Sequence, residues 1–250
     1  MSYIKKIAKY VARFWLGRVF GFFATIPNRF KRHIISPPKF VAHSDWIEYL
    51  SKEFNKPGVR VLEVGSRVVT GSNNRSKFDK AEYVGFDFYE GENVDVAGDA
   101  HKLSTYFNSN EKFDLIFSSA VFEHLHMPWV VAEEIDKLLN IGGCVFTETH
   151  FSYSSHERPW HFFQFSENGL RALFCSAMGY KLIDSGMSNP MIGYFSDKSD
   201  GYLRYGVISE LYCHSGLLVQ KQRSIENFNW HNVDIDDVVE GKRYPLSTNL

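Results

Sequence analysis

This 250-residue sequence lacks the cysteine spacing of metal-binding and redox proteins, and it lacks sequence repeats. Its three cysteines, Cys144, Cys175 and Cys213, show neither metal-binding nor redox spacing, and an odd, unpatterned set fits a reducing, cytoplasmic compartment. It contains no internal repeats and no low-complexity tracts. The composition is that of a globular protein, with 44% hydrophobic and 23% charged residues, and the length allows one domain with a substantial core.

Residues 1–44 contain no acidic residue at all. They carry a charge of +9, whereas the remainder of the chain sums to −10, and they include nine aromatic residues. Apolar residues recur with helical period over 3–24, but Arg13 and Arg18 interrupt them, which argues against a membrane span. No convincing small-residue cleavage site follows, so a signal peptide is not predicted. We therefore predict a basic aromatic amphipathic arm at 1–44, a folded domain at 45–223 and an irregular tail at 224–250.

Two interpretations of this arm stay open. A basic amphipathic helix with tryptophan and phenylalanine on its apolar face is typical of a membrane-interfacial segment, which would use residues 1–40 at a membrane surface. The same face could instead pack on the main domain, because periodicity does not distinguish lipid from protein. The expected location is cytoplasmic, with peripheral attachment to the inner face of a membrane under the first interpretation.

From Val59 onward, strand-like and helix-like patterns alternate. Strands are predicted at 59–64, 82–87, 93–96, 113–118 and 143–149, followed by Tyr180–Asp184 and Leu217–Lys221. Helices are predicted at 43–54, from Pro128, and over Glu167–Met178, and a loop is predicted at 185–206. This alternation predicts an α/β fold with a doubly wound, mostly parallel sheet of seven strands.

The predicted sheet lacks the glycines of a dinucleotide or nucleoside triphosphate site. The first strand is followed by Gly65-Ser-Arg-Val-Val-Thr-Gly71 instead of G-x-G-x-x-G, and there is no Gly-Lys-Ser/Thr loop. Acidic residues nevertheless occur at Glu63, at Asp87 where the second strand ends, and at Asp99. A strand-end carboxylate can accept from both hydroxyls of a ribose. A nucleoside without phosphates, such as S-adenosylmethionine, fits this combination.

Six short segments between Arg60 and Lys221 together resemble class I S-adenosylmethionine-dependent methyltransferases, and most closely their type 11 branch. In chain order these are Val61-Leu-Glu-Val-Gly65, Val84-Gly-Phe-Asp87, Gly98-Asp-Ala100, Phe113-Asp-Leu-Ile-Phe-Ser-Ser119, Val121-Phe-Glu-His-Leu125 and Leu138-Leu-Asn-Ile-Gly-Gly143. The resemblance implies the Rossmann-like methyltransferase fold, S-adenosyl-L-methionine as cofactor and methyl transfer as activity. The sequence departs from the family's usual G-x-G-x-G loop at Arg67 and Val69, which occupy the second and third glycine positions.

The resemblance also implies a role for individual residues. Gly65 and Ser66 would line the methionine part of the cofactor, and Glu63 would orient that loop or the cofactor amine. Asp87 would bind the ribose hydroxyls, and Phe88 would pack on the adenine. The remaining cofactor-binding candidates, on the adenine side and near the sulfonium, are Asp99, Ala100 and Ser119.

A histidine-rich segment follows the fifth predicted strand, from His150 to Phe165. Histidine has a suitable proton affinity for a general base near neutral pH, so His161 or His156 is the predicted catalytic residue. No metal site is predicted, because His150, His156, Glu157 and His161 match no recognised ligand spacing.

The methyl acceptor is predicted only by class. Relatives with a similar histidine- and aromatic-rich segment, and the basic arm, favour O-methylation of a sugar or glycan precursor at a membrane surface. A quinone or another small phenol is the second choice, and an interaction protein that keeps the fold without turnover is the third. Nucleic acid is disfavoured as a partner, because the body is acidic and no known RNA-binding module accompanies the arm.

Overall fold

The structure is a computed structural model that describes residues 37–69, 71 and 73–239, together with Val19, Phe23, Ile26 and Ile35. The predicted helix at 3–24, apart from Val19 and Phe23, and most of the basic arm lie outside the described residues. The chain divides into two compact units. One unit comprises residues 37–188 and 213–250, and the other comprises residues 1–36 and 189–212.

Seven strands form one sheet. They are β1 (Arg60–Val64), β2 (Glu82–Asp87), β3 (Val96–Ala97), β4 (Phe113–Ser119), β5 (Leu139–His150), β6 (Tyr180–Tyr194) and β7 (Val207–Lys221). The order across the sheet is β3-β2-β1-β4-β5-β7-β6. Pairing is parallel from β3 to β5, whereas β5 and β7 run antiparallel. This topology confirms the predicted α/β fold with a mostly parallel sheet.

Four α-helices occur in the described part of residues 37–239: α1 (Trp46–Phe54), α2 (Pro128–Leu138), α3 (Glu167–Leu173) and α4 (Ile235–Val238). Pro128 begins α2, where its missing N–H costs no hydrogen bond. The predicted helix Glu167–Met178 is instead α3 followed by a separate 3-10 turn at Ser176–Met178. The tail, predicted to be irregular, contains α4 and a 3-10 turn at Trp230–Asn232.

Both faces of the central strands β1, β4 and β5 are buried. Leu62, Ile116 and Val145 pack in a cluster that includes apolar residues of α2 and α3. Their strand neighbours on the opposite face, such as Leu115 and Phe146, pack in a second cluster with α1. Because successive side chains of a strand point to opposite faces, this division requires nearly continuous apolar strands, and the sequence has them.

The prediction of a loop at 185–206 is wrong in part. Strand β6 continues to Tyr194 and β7 begins at Val207, so only the middle of this segment is a turn. Within the smaller unit, the Phe195 N–H donates to the Gly206 carbonyl and the Tyr205 N–H donates to the Phe195 carbonyl. Many glycine, serine and aspartate residues conceal the strand pattern there.

The segment before α1 is fixed to β6 by one carboxylate. Asp184 accepts hydrogen bonds from the backbone N–H groups of Lys39, Phe40 and Val41, at 3.2, 2.6 and 3.2 Å. These bonds satisfy three donors that have no strand partner, and they position His43 two residues later. Among the described residues, no helix has the length and apolar character required to cross a bilayer.

Candidate functional site

The carboxyl ends of the central strands meet at one edge of the sheet. Val64 of β1 is in register with Phe86 of β2 and with Ser118 of β4, and Ser119 is in register with Glu148 of β5. Loops that follow parallel strands in an open α/β sheet form its usual ligand-binding crevice. The predicted cofactor-binding residues after β1, β2, β3 and β4 therefore share one edge.

Gly65 makes the turn that leaves β1. Its φ is +88°, and a Cβ atom on it would lie 2.2 Å from Cγ2 of Val121, in the loop after β4. Gly65 and Ser66 both donate their N–H groups to the Phe86 carbonyl, at 2.8 and 3.0 Å. Glycine is therefore required here for both its backbone conformation and its lack of a side chain.

The side chains of Ser66 and Glu63 bond to protein groups. The Ser66 hydroxyl donates to the Asn93 carbonyl (2.9 Å), and the Asn93 side chain donates back to the Ser66 carbonyl (2.8 Å). Glu63 accepts from Asn74 Nδ2 (2.8 Å) and from the Tyr83 hydroxyl, and its burial raises its pKa. Glu63 thus connects Asn74, in the loop after β1, to Tyr83 of β2, and the hydroxyl, N–H and carbonyl of Ser66 all bond to protein groups.

Asp87 lies at the end of β2, and Arg67 pairs with it. Oδ1 accepts from Arg67 Nε (3.2 Å) and from the Tyr89 N–H (3.0 Å), while Oδ2 accepts from the Arg67 N–H (3.3 Å). The unusual arginine in the glycine loop therefore points toward a carboxylate of the protein. Because each carboxylate oxygen has two acceptor positions, one position on Oδ2 remains for a hydroxyl group.

The predicted adenine-side residues lie on the loops after β2 and β3. Phe88 is 63% exposed and meets Tyr89 edge-on at 4.9 Å, which leaves its ring accessible for stacking. Asp99 accepts from the backbone N–H and ring Nδ1 of His101, at 2.9 and 2.7 Å. Burial opposes ionisation of Asp99, but these hydrogen bonds outweigh it and lower its pKa. Ala100, with a buried side chain, begins the 3-10 helix that Asp99 caps.

Two buried glutamates near the ends of β4 and β5 each pair with a histidine. Glu148 lies 3.0 and 3.1 Å from His43 Nδ1 and accepts from the Ser119 hydroxyl at 3.3 Å. The hydrogen bond with Glu148 raises the pKa of His43, although burial opposes it. Glu123, whose side chain is fully buried, accepts from His150 Nδ1 at 2.8 Å. Burial opposes its charge, but hydrogen bonds from His150 and Thr149 lower its pKa.

The two predicted catalytic histidines lie next to each other. Their ring centroids are 4.6 Å apart, and the His156 backbone N–H donates to His161 Nδ1 at 3.3 Å. His161 Nε2 is buried with no hydrogen-bond partner among the described atoms. Partial burial and the neighbouring His156 and His124 lower the pKa of His161. His156 Nδ1 meets the Ser154 carbonyl at 2.9 Å, so it must carry the proton, and Nε2 of a neutral ring then has the lone pair.

Sequence reasoning missed several members of this edge. His43, His214 and Glu148 come from three separate parts of the chain, and no local motif connects them. Glu123 was included only as part of the Val121–Leu125 segment. The sequence nevertheless contained a signal for these glutamate–histidine pairs. A glutamate among apolar residues of the core requires a partner, and the chain has ten histidines that can provide one.

Comparison with known proteins agrees with this geometry. A family model described as a methyltransferase domain matches residues 33–178, which is more than half of the chain. The chain belongs to this methyltransferase family. No curated protein matches it by sequence.

Solved structures that resemble this chain do so at low sequence identity. One from Bacillus halodurans, assigned as a methyltransferase, has a TM-score of 0.50 and 14% identity and covers 71% of this chain and 99% of its own. The Burkholderia thailandensis 1,6-didemethyltoxoflavin-N1-methyltransferase has a TM-score of 0.49 and 14% identity, and covers 86% of this chain and 87% of its own. The Synechocystis magnesium protoporphyrin IX methyltransferase has a TM-score of 0.46 and 15% identity, with coverage of 70% and 76%.

The methyltransferase is an enzyme that depends on S-adenosylmethionine, as the six sequence segments imply. Its residues fit that cofactor at the sheet edge. Asp87 and Asp99 keep acceptor positions for hydroxyl and amino groups. The cofactor supplies an electrophilic methyl group on a sulfonium. The roles of the individual cofactor-binding residues remain predictions.

Proposed function

We propose that this methyltransferase O-methylates a hydroxyl group of a sugar or glycan precursor at a membrane surface. The observation that supports a sugar is the combination of imidazole and aromatic side chains in the segment that follows β5. The imidazoles of His150 and His156 lie beside Tyr153, whose ring stacks on that of His150 at a centroid distance of 4.5 Å, and His214 lies next to His150. Tyr153, Trp160 and Phe162 are each more than 40% exposed. Imidazoles can hydrogen-bond several hydroxyls, and exposed rings give a sugar face a stacking surface.

The protein's part in this reaction is to position the acceptor and to take its proton. Positioning matters because displacement at the methyl group gains much of its rate from orientation. Of the two predicted bases, His156 is better placed, since its neutral ring has a lone pair on Nε2. His161 accepts a backbone hydrogen bond through Nδ1, and its Nε2 is enclosed by protein atoms. We therefore assign His156 as the base and His161 as a residue that positions it.

His156→Gln is expected to lower kcat by about 100- to 10,000-fold with a sugar acceptor, the range that general bases contribute, while the affinity for S-adenosylmethionine stays the same. His161→Gln should have a smaller effect, and His231→Gln, in the tail, should have none. The loss from His156→Gln should shrink with a phenol acceptor, because a more acidic hydroxyl depends less on a base. Steady-state kinetics on both acceptor classes measure these effects. An unchanged kcat in His156→Gln would exclude this base.

A membrane surface is the proposed place of reaction because of the basic aromatic arm. Each lysine near an anionic membrane is worth about 1 kcal/mol, so changing Lys5, Lys6 and Lys9 to glutamate in the full chain should weaken vesicle binding at least about 100-fold. Sedimentation with vesicles that contain phosphatidylserine measures this. The matched control changes three exposed lysines of the folded domain, Lys52, Lys80 and Lys181. Equal binding by the two triple variants would refute a role for the arm.

A further inference from the structure

The antiparallel register of β5 and β7 brings a cysteine and two histidines together near His156, the proposed base. His150 and His214 are direct partners across the two strands, with ring centroids 5.3 Å apart. Cys213 Sγ lies 3.8 Å from His214 Nε2. One ligand atom from each of these three residues lies within 4.8 Å of the other two. Cys213 is buried and the two histidines are half-buried, so the group lies at the rim of the domain core.

His150 is also held as metal-bound histidines usually are. Its Nδ1 bonds the Glu123 carboxylate at 2.8 Å, and the Thr149 hydroxyl donates to the other oxygen of that carboxylate. Metal-bound histidines typically donate their second ring N–H to a carboxylate or carbonyl, which fixes the ring and increases its basicity. With Nδ1 bonded in this way, the Nε2 of His150 is the atom available to a metal ion.

We propose that Cys213, His150 and His214 bind a divalent transition metal ion, with Zn²⁺ as the best fit. At ordinary bond lengths a tetrahedral Zn²⁺ separates thiolate sulfur from imidazole nitrogen by about 3.6 Å and two imidazole nitrogens by about 3.3 Å. Cys213 Sγ and His214 Nε2 are 3.8 Å apart, and the three ligand atoms all lie within 4.8 Å of one another. Small side-chain movements would bring these separations to the values of a zinc site. A thiolate with two imidazoles favours Zn²⁺ over Mg²⁺ or Ca²⁺, which prefer oxygen ligands.

Binding requires the Cys213 thiol to lose its proton to solvent, because the thiolate is the ligand. Three protein ligands leave the fourth position open, as in catalytic zinc sites, and an acceptor hydroxyl could occupy it.

Two other sets of potential ligands overlap this one in the described part of the chain, and their geometry is poorer. In the set His43, Glu148 and His214, the two imidazole rings stack at 3.9 Å with planes 16° apart. Lone pairs in parallel ring planes do not converge on one ion. In the set Glu123, His150 and His156, Glu123 bonds His150 Nδ1 directly and also accepts from Thr149, which suits a supporting role.

Titration of the metal-free full-length protein with Co²⁺ tests the proposal and does not depend on the acceptor or on activity. Co²⁺ replaces Zn²⁺ in tetrahedral sites, and a cobalt–thiolate bond gives an intense near-ultraviolet charge-transfer band. We expect one equivalent of Co²⁺ to produce this band, Zn²⁺ to displace it, and one proton from the thiol to be released to the buffer. Absence of the band at stoichiometric Co²⁺ would overturn the assignment.

Variants locate the ion. Cys213→Ser should abolish the charge-transfer band, whereas the matched controls Cys144→Ser and Cys175→Ser, at the other two buried cysteines, should retain it. His150→Gln should weaken Co²⁺ binding strongly. Glu123→Gln should weaken it about 10- to 100-fold, the usual effect of losing a supporting carboxylate. Full Co²⁺ affinity in Cys213→Ser would overturn the proposed site. So would loss of Co²⁺ binding in Glu148→Gln together with unchanged binding in the Cys213 and His150 variants, since Glu148 belongs to the alternative set of ligands.

Discussion

Replacing Gly65 with alanine is expected to destabilise the protein by about 3 kcal/mol and to lower the methyl-transfer rate about 100-fold. A non-glycine residue at a φ of +88° costs about 1–2 kcal/mol. Overpacking against Val121 adds about 1–3 kcal/mol, because the new Cβ would lie 2.2 Å from Cγ2. The turn must therefore move, and a shift of about 1 Å in a positioning group can cost about 100-fold in rate. Urea unfolding and single-turnover kinetics measure the two effects.

Two further variants separate the causes. Gly58 has a φ of +81° and no atom within 4 Å of an added Cβ, so Gly58→Ala measures the backbone cost alone. Adding Val121→Ala to Gly65→Ala removes the clashing methyl group and should recover the packing part of the loss but not the backbone part. If Gly65→Ala destabilised the protein no more than Gly58→Ala, the close approach to Val121 would not matter.

Asp87→Asn is expected to weaken S-adenosylmethionine binding about 10- to 100-fold. A hydrogen bond to a charged group is worth about 1.5–3 kcal/mol, and asparagine keeps one acceptor oxygen but loses the charge. Arg67→Gln shows how much of the change comes from the Arg67–Asp87 ion pair, since it breaks that pair and leaves the carboxylate. Glu90→Gln, at an exposed carboxylate three residues later, is the matched control. Calorimetric titration with the cofactor measures all three.

An affinity in Asp87→Asn equal to that of the wild type would remove Asp87 from the ribose site. A large gain of affinity in Arg67→Gln would instead show that the arginine competes with the cofactor for the carboxylate. The geometry predicts a modest change, because an acceptor position on Oδ2 remains available while Arg67 is bound.

The strand ends that carry the predicted cofactor-binding residues could be located from the sequence, because their signals are local. An apolar strand followed by glycine, or a strand that ends in aspartate, can be recognised within a few residues, and the parallel sheet then places those ends at one edge. The strand bounds near Val64, Asp87 and Ser119 agree with the structure for the same reason.

The histidine–glutamate cluster at the same edge could not be predicted in this way. His43, Glu148 and His214 are brought together only by the antiparallel addition of β7 and by the Asp184 contacts with residues 39–41. Neither arrangement has a local sequence pattern. The prediction of a loop at 185–206 was wrong in part for a related reason, since polar and glycine residues interrupt the period of two in the outer parts of β6 and β7.

The central claim is that this chain binds S-adenosylmethionine at the sheet edge and transfers its methyl group. Isothermal titration of the full-length protein with S-adenosylmethionine tests it most directly. The account predicts saturable binding with one molecule per chain, weakened by Asp87→Asn and unchanged by Glu90→Gln. Absence of binding at millimolar cofactor, from protein whose folding is verified by circular dichroism, would contradict it.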